Sequence, residues 1–420
     1  MAVSRHAHDH DRDDGLVPVE EARERILSGI EPLAPLDVPL TEAHGCVLAR
    51  EVVAGEDIPA FASSAMDGFA VRAVDVASAA PAAPVELRIV GRALIGRRPE
   101  GTVGPGEAIR IATGAPIPAG ADAVVPIEDC EVAGERVRVL APVPEGKHVR
   151  PAGEDLRAGE VLVPAGRRLG APELGLLAAA GAAQVSIHPR ARVVVLSTGD
   201  ELVEPSRPPA FGQVRDSNAY LLYGALREAG AIPVLAGIVP DDVDRFRETV
   251  LSHLAQADAF ISSGGVSVGE RDVVKAAFFR RGEVGFFRVA MQPGMPQGFG
   301  HIEGKPYFGL PGNPVSVFVS FEVFIRPALL KMMGRRELAR PEVLARLEED
   351  VSGPREKTQF ARVLVRRGPD GWLARPTGGR GSNLIGTVAR ANGLAVIPPG
   401  VETAPAGSEV RVMLFRALEE

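Results

Sequence analysis

A chain of 420 residues is too long for one hydrophobic core, so two to four domains are expected. Hydrophobic residues at 45% and charged residues at 24% fit a globular protein, and a net charge of −7 excludes a global attraction to nucleic acid or anionic membrane. Only two cysteines occur, Cys46 and Cys130, too far apart for a Cys-x-x-Cys site; this excludes a disulfide framework and points to a reducing cytoplasm.

The first 15 residues carry His6, His8 and His10 among Asp9, Asp11, Asp13 and Asp14. Nothing apolar fixes these groups, so a solvated tail is expected rather than a metal site. The N-terminus lacks a charged-then-apolar signal pattern, and no stretch is long and apolar enough for a membrane span. A helix is predicted over 19–30, followed by proline-punctuated strands. From 59 to 150, Gly and Pro recur without helical periodicity, which predicts a β-rich lobe. A short Ala- and Leu-rich helix over 172–181 returns the chain to its first segment, so 16–58 and 151–189 are expected to form a discontinuous linker domain.

Strand and helix then alternate over 190–340. Strands are predicted at 192–196, 232–239, 258–262, 284–290 and 306–310, with a hairpin through 298–301. Helices are predicted at 217–229, capped by Ser217 or Asn218, at 242–257, at 272–281 and from Asn313. The apolar run 315–325 contains Glu322 and reads as a buried helix. Such alternation argues a mostly parallel α/β sheet covered on both faces. Beyond 340, segments 359–366, 371–376, 393–397 and 410–415 predict a small C-terminal β domain over 341–420. The fold class is multi-domain α/β plus β.

Ligands of open α/β sheets bind beyond the carboxyl ends of the strands. Four polar loops fall there: 196–202, 239–242, 261–272 and 309–314. Gly264, Gly265 and Gly269 let the backbone approach a ligand closely, and Ser262, Ser263 and Ser267 add hydroxyls suited to a phosphate or oxyanion. Pro311-Gly312-Asn313-Pro314 can start a helix, with Asn313 as cap and free N–H groups for an anion. Asp67, Asp155, Asp200, Glu201, Asp241, Asp242 and Asp272 all lie in or beside glycine-rich loops. Carboxylates around a phosphate need a hard cation such as Mg²⁺ between them. The plainer alternative is that loop aspartates cap turns and helices, Asp272 among them.

Six motifs then occur in order: Ser63-Ser-Ala-Met-Asp-Gly-Phe-Ala70, Arg110-Ile-Ala-Thr-Gly-Ala-Pro116, Arg150-Pro-Ala-Gly-Glu-Asp155, Ser197-Thr-Gly-Asp-Glu201, Ser262-Ser-Gly-Gly-Val-Ser-Val-Gly269 and Pro311-Gly-Asn-Pro314. Together they resemble the molybdopterin molybdotransferase family, which includes the molybdenum-insertion domain of gephyrin. The resemblance implies a homodimer of four-domain subunits, with a MogA-like pterin-binding α/β domain, whose active site lies between that domain of one subunit and the β-rich lobe of the other. It implies a Mg²⁺-dependent reaction in which adenylylated molybdopterin and molybdate yield AMP and the molybdenum cofactor. It also implies partners in the molybdopterin adenylyltransferase and acceptor molybdoenzymes.

Carried over by residue, Asp67, Thr113, Asp155, Glu201 and Asp272 are implied as catalytic, with Asp67, Asp155, Glu201, Asp241 and Asp242 as metal candidates. Ser197, Thr198, Gly199, Asp241, Asp242, Ser262, Ser263, Gly264, Gly265, Ser267 and Pro311 to Pro314 are implied to bind substrate, as are Gln292, Pro293 and Gly294. The chain departs from the family at Met291-Gln-Pro-Gly-Met-Pro296, where many members have Lys-Pro-Gly-Lys-Pro. Gln292 and Met295 remove two cations from an anion site; Arg288, Lys275, Arg271 and His301 are the candidates to replace them. A pterin-binding homologue with altered metal preference or lost insertion activity, and a dimeric scaffold, are the competing readings.

Overall fold

The computed structural model describes residues 15–265, 276–277 and 284–418. Ser267, Gly269, Arg271, Asp272, Lys275, most of the helix expected over 272–281 and nearly all of the N-terminal tail lie outside the described residues. The chain divides into two compact units: one holds the segment up to Leu36, 45–49 and 186 onward, and the other 37–44 and 50–185.

The first unit is built on a six-stranded sheet. Its strands are β1 Arg192–Thr198, β2 Ile232–Val239, β3 Ala259–Ser263, β4 Val284–Arg288, β5 Pro296–Ile302 and β6 Lys305–Leu310, in the order β2-β1-β3-β6-β5-β4. The first four neighbours are parallel, and β5 and β4 extend the sheet antiparallel. A run of valines forms a strand here because both faces are covered. Val193 and Val195 enter one core while Val194 and Leu196 enter the other, the period of two sending alternate side chains to opposite faces.

Helix α1, Asn218–Ala229, buries Leu222, Ala225 and Leu226 on the first face and stops at Gly230, whose φ of 91° is left-handed. Its cap differs from expectation: Ser217 makes no capping bond, and the Asp216 carboxylate accepts from the Ala219 N–H at 3.1 Å. Helix α2, Val243–Ser252, buries Phe246 and Val250 on the second face. It is shorter than the predicted 242–257, the chain passing into a 3₁₀ turn at Leu254–Gln256, and Val243 is exposed. The apolar run after Asn313 is a buried helix, α3 Pro314–Ser320 continuing through a π turn, Phe321–Ile325, into α4 Arg326–Met332. Pro327 has no N–H to offer the preceding turn, and the widened turn lies just before it. The N-terminal helix, Val19–Ser28, adds Val19, Ala22 and Ile26 to the same core.

Past Arg340, five strands close on themselves: β7 Glu342–Leu347, β8 Thr358–Gly368, β9 Gly371–Pro376, β10 Gly393–Ile397 and β11 Glu409–Leu414, in the cyclic order β8-β9-β7-β11-β10. Closure leaves little unpaired edge. The two-residue strand Met291–Gln292 lies parallel to the start of β8, pairing with Thr358 and Gln359.

The second unit carries a six-stranded sheet in the order Ala123–Pro126, Gly68–Val71, Glu107–Ile111, Val85–Ala93, Arg136–Val139, Cys130–Ala133. Gly68 is required where it stands, because a Cβ there would overlap the Val125 carbonyl oxygen. A helix at Ala171–Ala179 completes this unit; Glu173 folds back to accept from the Gly170 N–H at 2.9 Å. Among the described residues, no helix is long and apolar enough to cross a membrane.

Candidate functional site

The carboxyl ends of the parallel strands open into a cleft of about 1180 Å³ in the first unit. Of the sequence-predicted residues, Thr198, Gly199, Glu201, Asp241, Ser263, Gly264, Gly265, Gln292, Pro293, Gly294 and Pro311 to Pro314 line it. Loops far apart in sequence meet there because β1, β2, β3 and β6 are neighbours in the sheet.

The glycines act as expected where backbones crowd. Gly264 has φ 93°, and a Cβ on it would lie 2.5 Å from the Thr198 carbonyl oxygen. Its N–H, however, is taken by the Leu310 carbonyl at 3.0 Å rather than left for a ligand. The helix start at Asn313 is also less open than predicted. The Asn313 side chain makes no cap, and the Val315 N–H donates to the Ser382 carbonyl at 3.0 Å. The turn from Gln292 to Pro296, with a cis Gln292–Pro293 bond, is braced from below: Gln297 Nε2 donates to the Gly294 carbonyl and to Ser320 Oγ, both at 2.6 Å.

Three predicted residues do not reach the cleft wall. Ser262 is buried and its hydroxyl pairs with the Tyr307 hydroxyl, because strand alternation sends it to the opposite side from Ser263. Ser197 is buried with its Oγ 3.3 Å from Ser263 Oγ. Asp242 caps α2, accepting from the Arg245 N–H at 2.8 Å, which is the plainer reading of a loop aspartate.

One end of the cleft is acidic. Burial, then the Asp200 charge, then the Glu201 charge push the Asp241 carboxyl above the usual carboxylate range. Asp200 Oδ1 also accepts from the Asp241 N–H at 3.2 Å. Among the described residues, no group of three His, Cys, Asp or Glu side chains could hold a metal by itself. Mg²⁺ retains waters and takes one or two carboxylates plus substrate phosphate oxygens, so Glu201 and Asp241 fit a cation shared with a phosphorylated ligand rather than an all-protein cage.

Sequence reasoning missed one wall. Arg215, Asp216 and Asn218 enter it from the segment leading into α1, and Arg380, Ser382 and Asn383 from the C-terminal domain. Asn218 Nδ2 donates to the Gly312 carbonyl at 2.7 Å, while its Oδ1 and the hydroxyl of Thr198 are buried without a partner among the described residues. Buried polar atoms are normally satisfied, and two orphans in one cleft mark places for ligand groups.

The predicted cation replacements separate cleanly. His301 Nε2 is 2.9 Å from the Gly29 carbonyl and its ring packs edge-on against Phe299. Arg288 Nη2 lies 3.7 Å from Met295 Sδ. Lys357, which sequence reasoning did not raise, brings Nζ to 3.4 Å from the same sulfur.

In the second unit, Asp67 and Thr113 meet directly: Asp67 Oδ1 accepts from the Thr113 N–H at 2.9 Å. Asp67 also lines a smaller cleft of about 370 Å³ with Arg92 and Arg110. Val149–Arg150 pairs with Ser63–Ser64, so the loop to Asp155 leaves beside the strand that leads to Asp67; Asp155 itself is exposed, its N–H bonded to the Ile58 carbonyl at 3.1 Å.

Residues 17–181 match the family model described as MoeA N-terminal region (domain I and II), 194–331 match "Probable molybdopterin binding domain", and 344–415 match MoeA C-terminal region (domain IV). The chain belongs to the MoeA family. A member from Mycobacterium tuberculosis named molybdopterin molybdenumtransferase 2 is 42% identical over 400 residues, spanning 94% of this chain and 98% of the relative. The Bacillus subtilis molybdopterin molybdenumtransferase is 34% identical over 405 residues, covering 95% and 94%. The crystal structure of a MoeA molybdopterin biosynthesis protein from Pyrococcus horikoshii superposes with TM-score 0.84 at 34% identity, covering 96% of this chain and all of that one. The MoeA fold is therefore common to both, down to the C-terminal domain.

Proposed function

We propose that this chain is a molybdopterin molybdotransferase, converting adenylylated molybdopterin and molybdate into the molybdenum cofactor and AMP. The observation that carries the reading is the cleft's polarity: carboxylates at one end and, along the wall, glycine-lined turns with two buried polar atoms that have no partner among the described residues. The pterin and its phosphates are assigned to the Gly264-Gly265 and Pro311-to-Pro314 turns. Glu201 and Asp241 would be the residues to hold Mg²⁺, which would supply charge neutralisation for a phosphorylated ligand. Asp67, Thr113 and Asp155 act from the lobe, Asp67 being oriented by the Thr113 N–H. The working form is a cytoplasmic homodimer.

The test is to give purified protein adenylylated molybdopterin, Mg²⁺ and molybdate. AMP release that depends on molybdate, with a product that restores an apo-molybdoenzyme, is expected. Pterin binding without molybdate-stimulated AMP release would instead indicate a homologue without insertion activity, and no pterin binding a scaffold. Tungstate in a parallel arm reads metal preference.

A further inference from the structure

The lobe of the second unit holds a pair of cations without a local counter-charge. Its six-stranded sheet carries five arginines on strands, and three of them are matched: Arg88, Arg136 and Arg138 are ion-paired with Glu107, Glu86 and Glu131. Arg92 and Arg110 make no ion pair among the described residues. They are direct partners in the parallel ladder between Val85–Ala93 and Glu107–Ile111, so both side chains leave one face of the sheet a strand spacing, about 4.8 Å, apart. Like charges set directly opposite each other destabilise a sheet. The same two residues line the cleft of about 370 Å³ beside Asp67, together with Leu94, Ile111 and Ile127. Asp67 is the one carboxylate among the described lining residues, and its Oδ1 is already engaged by the Thr113 N–H at 2.9 Å. Two guanidinium groups therefore outweigh one carboxylate there.

We infer that Arg92 and Arg110 form a phosphate-monoester site in the lobe. Two planar forks on neighbouring strands each present paired donors to the oxygens of one phosphate, which a single arginine does not. A dianion between them turns a repulsive pair into an attractive triad. Because both guanidinium groups are exposed, that gain falls as salt is added. Leu94 and Ile127 give the organic part of the ester an apolar wall, and the volume admits more than a bare phosphate. The site lies wholly within the second unit. Under the function proposed above, the monoester is the AMP released when the phosphoanhydride breaks. That identity rests on the proposed function; the anion site does not.

The experiment uses the full chain with Arg92→Gln, Arg110→Gln, the double variant, Arg110→Lys, and Arg136→Gln as a control that removes an ion-paired arginine from the same sheet. Calorimetric titration with AMP, inorganic phosphate and adenosine is read beside phenylglyoxal labelling of the arginines, resolved by peptide mass spectrometry. AMP is expected to shield Arg92 and Arg110 from the reagent and to leave Arg136 reactive. Each single neutral substitution is expected to weaken this AMP binding about tenfold and the double further, with Arg110→Lys in between and Arg136→Gln within about twofold of wild type. AMP held in the larger cleft appears as a component that these substitutions leave unchanged. Without ligand the double variant is expected to melt at or above the wild-type temperature, since the like-charge contact is gone, and AMP is expected to raise its melting temperature less. Identical AMP isotherms for wild type and double variant overturn the site, as do labelling rates at Arg92 and Arg110 that AMP does not change, or an equal loss in Arg136→Gln. Adenosine binding as tightly as AMP overturns the assignment to phosphate, and inorganic phosphate binding as tightly as AMP overturns the assignment to an ester. Absence of AMP release from adenylylated molybdopterin by the wild-type protein overturns the proposed function alone.

Discussion

Asp241 sits where burial and two neighbouring carboxylates oppose its ionisation, so its folded-state pKa lies above the unfolded value. The sign follows directly: the protonated form is favoured by folding, so this group stabilises the fold in acid and loses that contribution as pH rises through its raised pKa. At neutral pH, ionised Asp241 is a repulsive element of the cation-free protein. Asp241→Asn is therefore expected to raise the melting temperature at neutral pH, with the gain shrinking on acidification and on addition of Mg²⁺ to the wild type. A melting temperature equal to or below wild type at neutral pH would contradict this electrostatic account. Asp67 offers a complementary test. Asn retains an oxygen to accept from the Thr113 N–H, so Asp67→Asn should keep the lobe folded while AMP release falls about a hundredfold. Unchanged turnover would remove Asp67 from the chemistry. The residue scale also shows what a sequence conceals. The Ser-Ser-Gly-Gly loop is recognisable from its composition, yet which of Ser262 and Ser263 faces the cleft depends on strand phase at the sheet edge. Arg380 and Lys357 carry no local mark at all, since only the folded C-terminal domain brings them to the cleft and its neighbouring turn.

Elements with strong local patterns were legible almost to their ends. The strands Ile232–Val239, Gly371–Pro376 and Gly393–Ile397 coincide with the runs expected from β-branched and aliphatic residues. The strand Glu342–Leu347 was not anticipated, because Glu342 and Arg346 interrupt its apolar residues and only Ala345 and Leu347 are buried. Ser217 stands at the cap position of α1 as expected, but the capping bond comes from Asp216, one residue earlier, because Asp216, Ser217 and Asn218 are all able cap formers and the choice depends on the turn geometry before the helix. The buried α3–α4 rod contains the sharpest energetic prediction at this scale. Glu322 is 2% exposed and accepts from Arg340 Nε and Nη2 at 2.8 and 2.9 Å, with Arg326 held to a pKa of about 10, chiefly by burial and then by the Arg340 charge. Glu322→Gln leaves those cations without their carboxylate and is expected to cost about 3 kcal/mol in chemical denaturation. A loss below about 1 kcal/mol would mean that water already screens the pair.

At the scale of the molecule, the first unit leaves large apolar side chains in solvent, Phe211, Tyr220 and Tyr223 among them. Surfaces of that kind commonly mark association sites, and closed two-fold dimers are the commonest soluble assembly. Sedimentation equilibrium is expected to give twice 44.2 kDa at micromolar concentration. A single-chain mass there would remove the homodimer from the proposed function.

The turn that carries Met295 hangs between two cores. Met291 and Gln292 are staves of the C-terminal ring, whereas Pro296 already belongs to the α/β sheet. Recombining two related genes at Arg340 would therefore pair a foreign ring with a native stave, and the mismatch would surface in the cleft rather than at the splice. Exchanging the segment 290–296 together with the ring keeps stave and ring from one parent, and is the crossover that preserves the register.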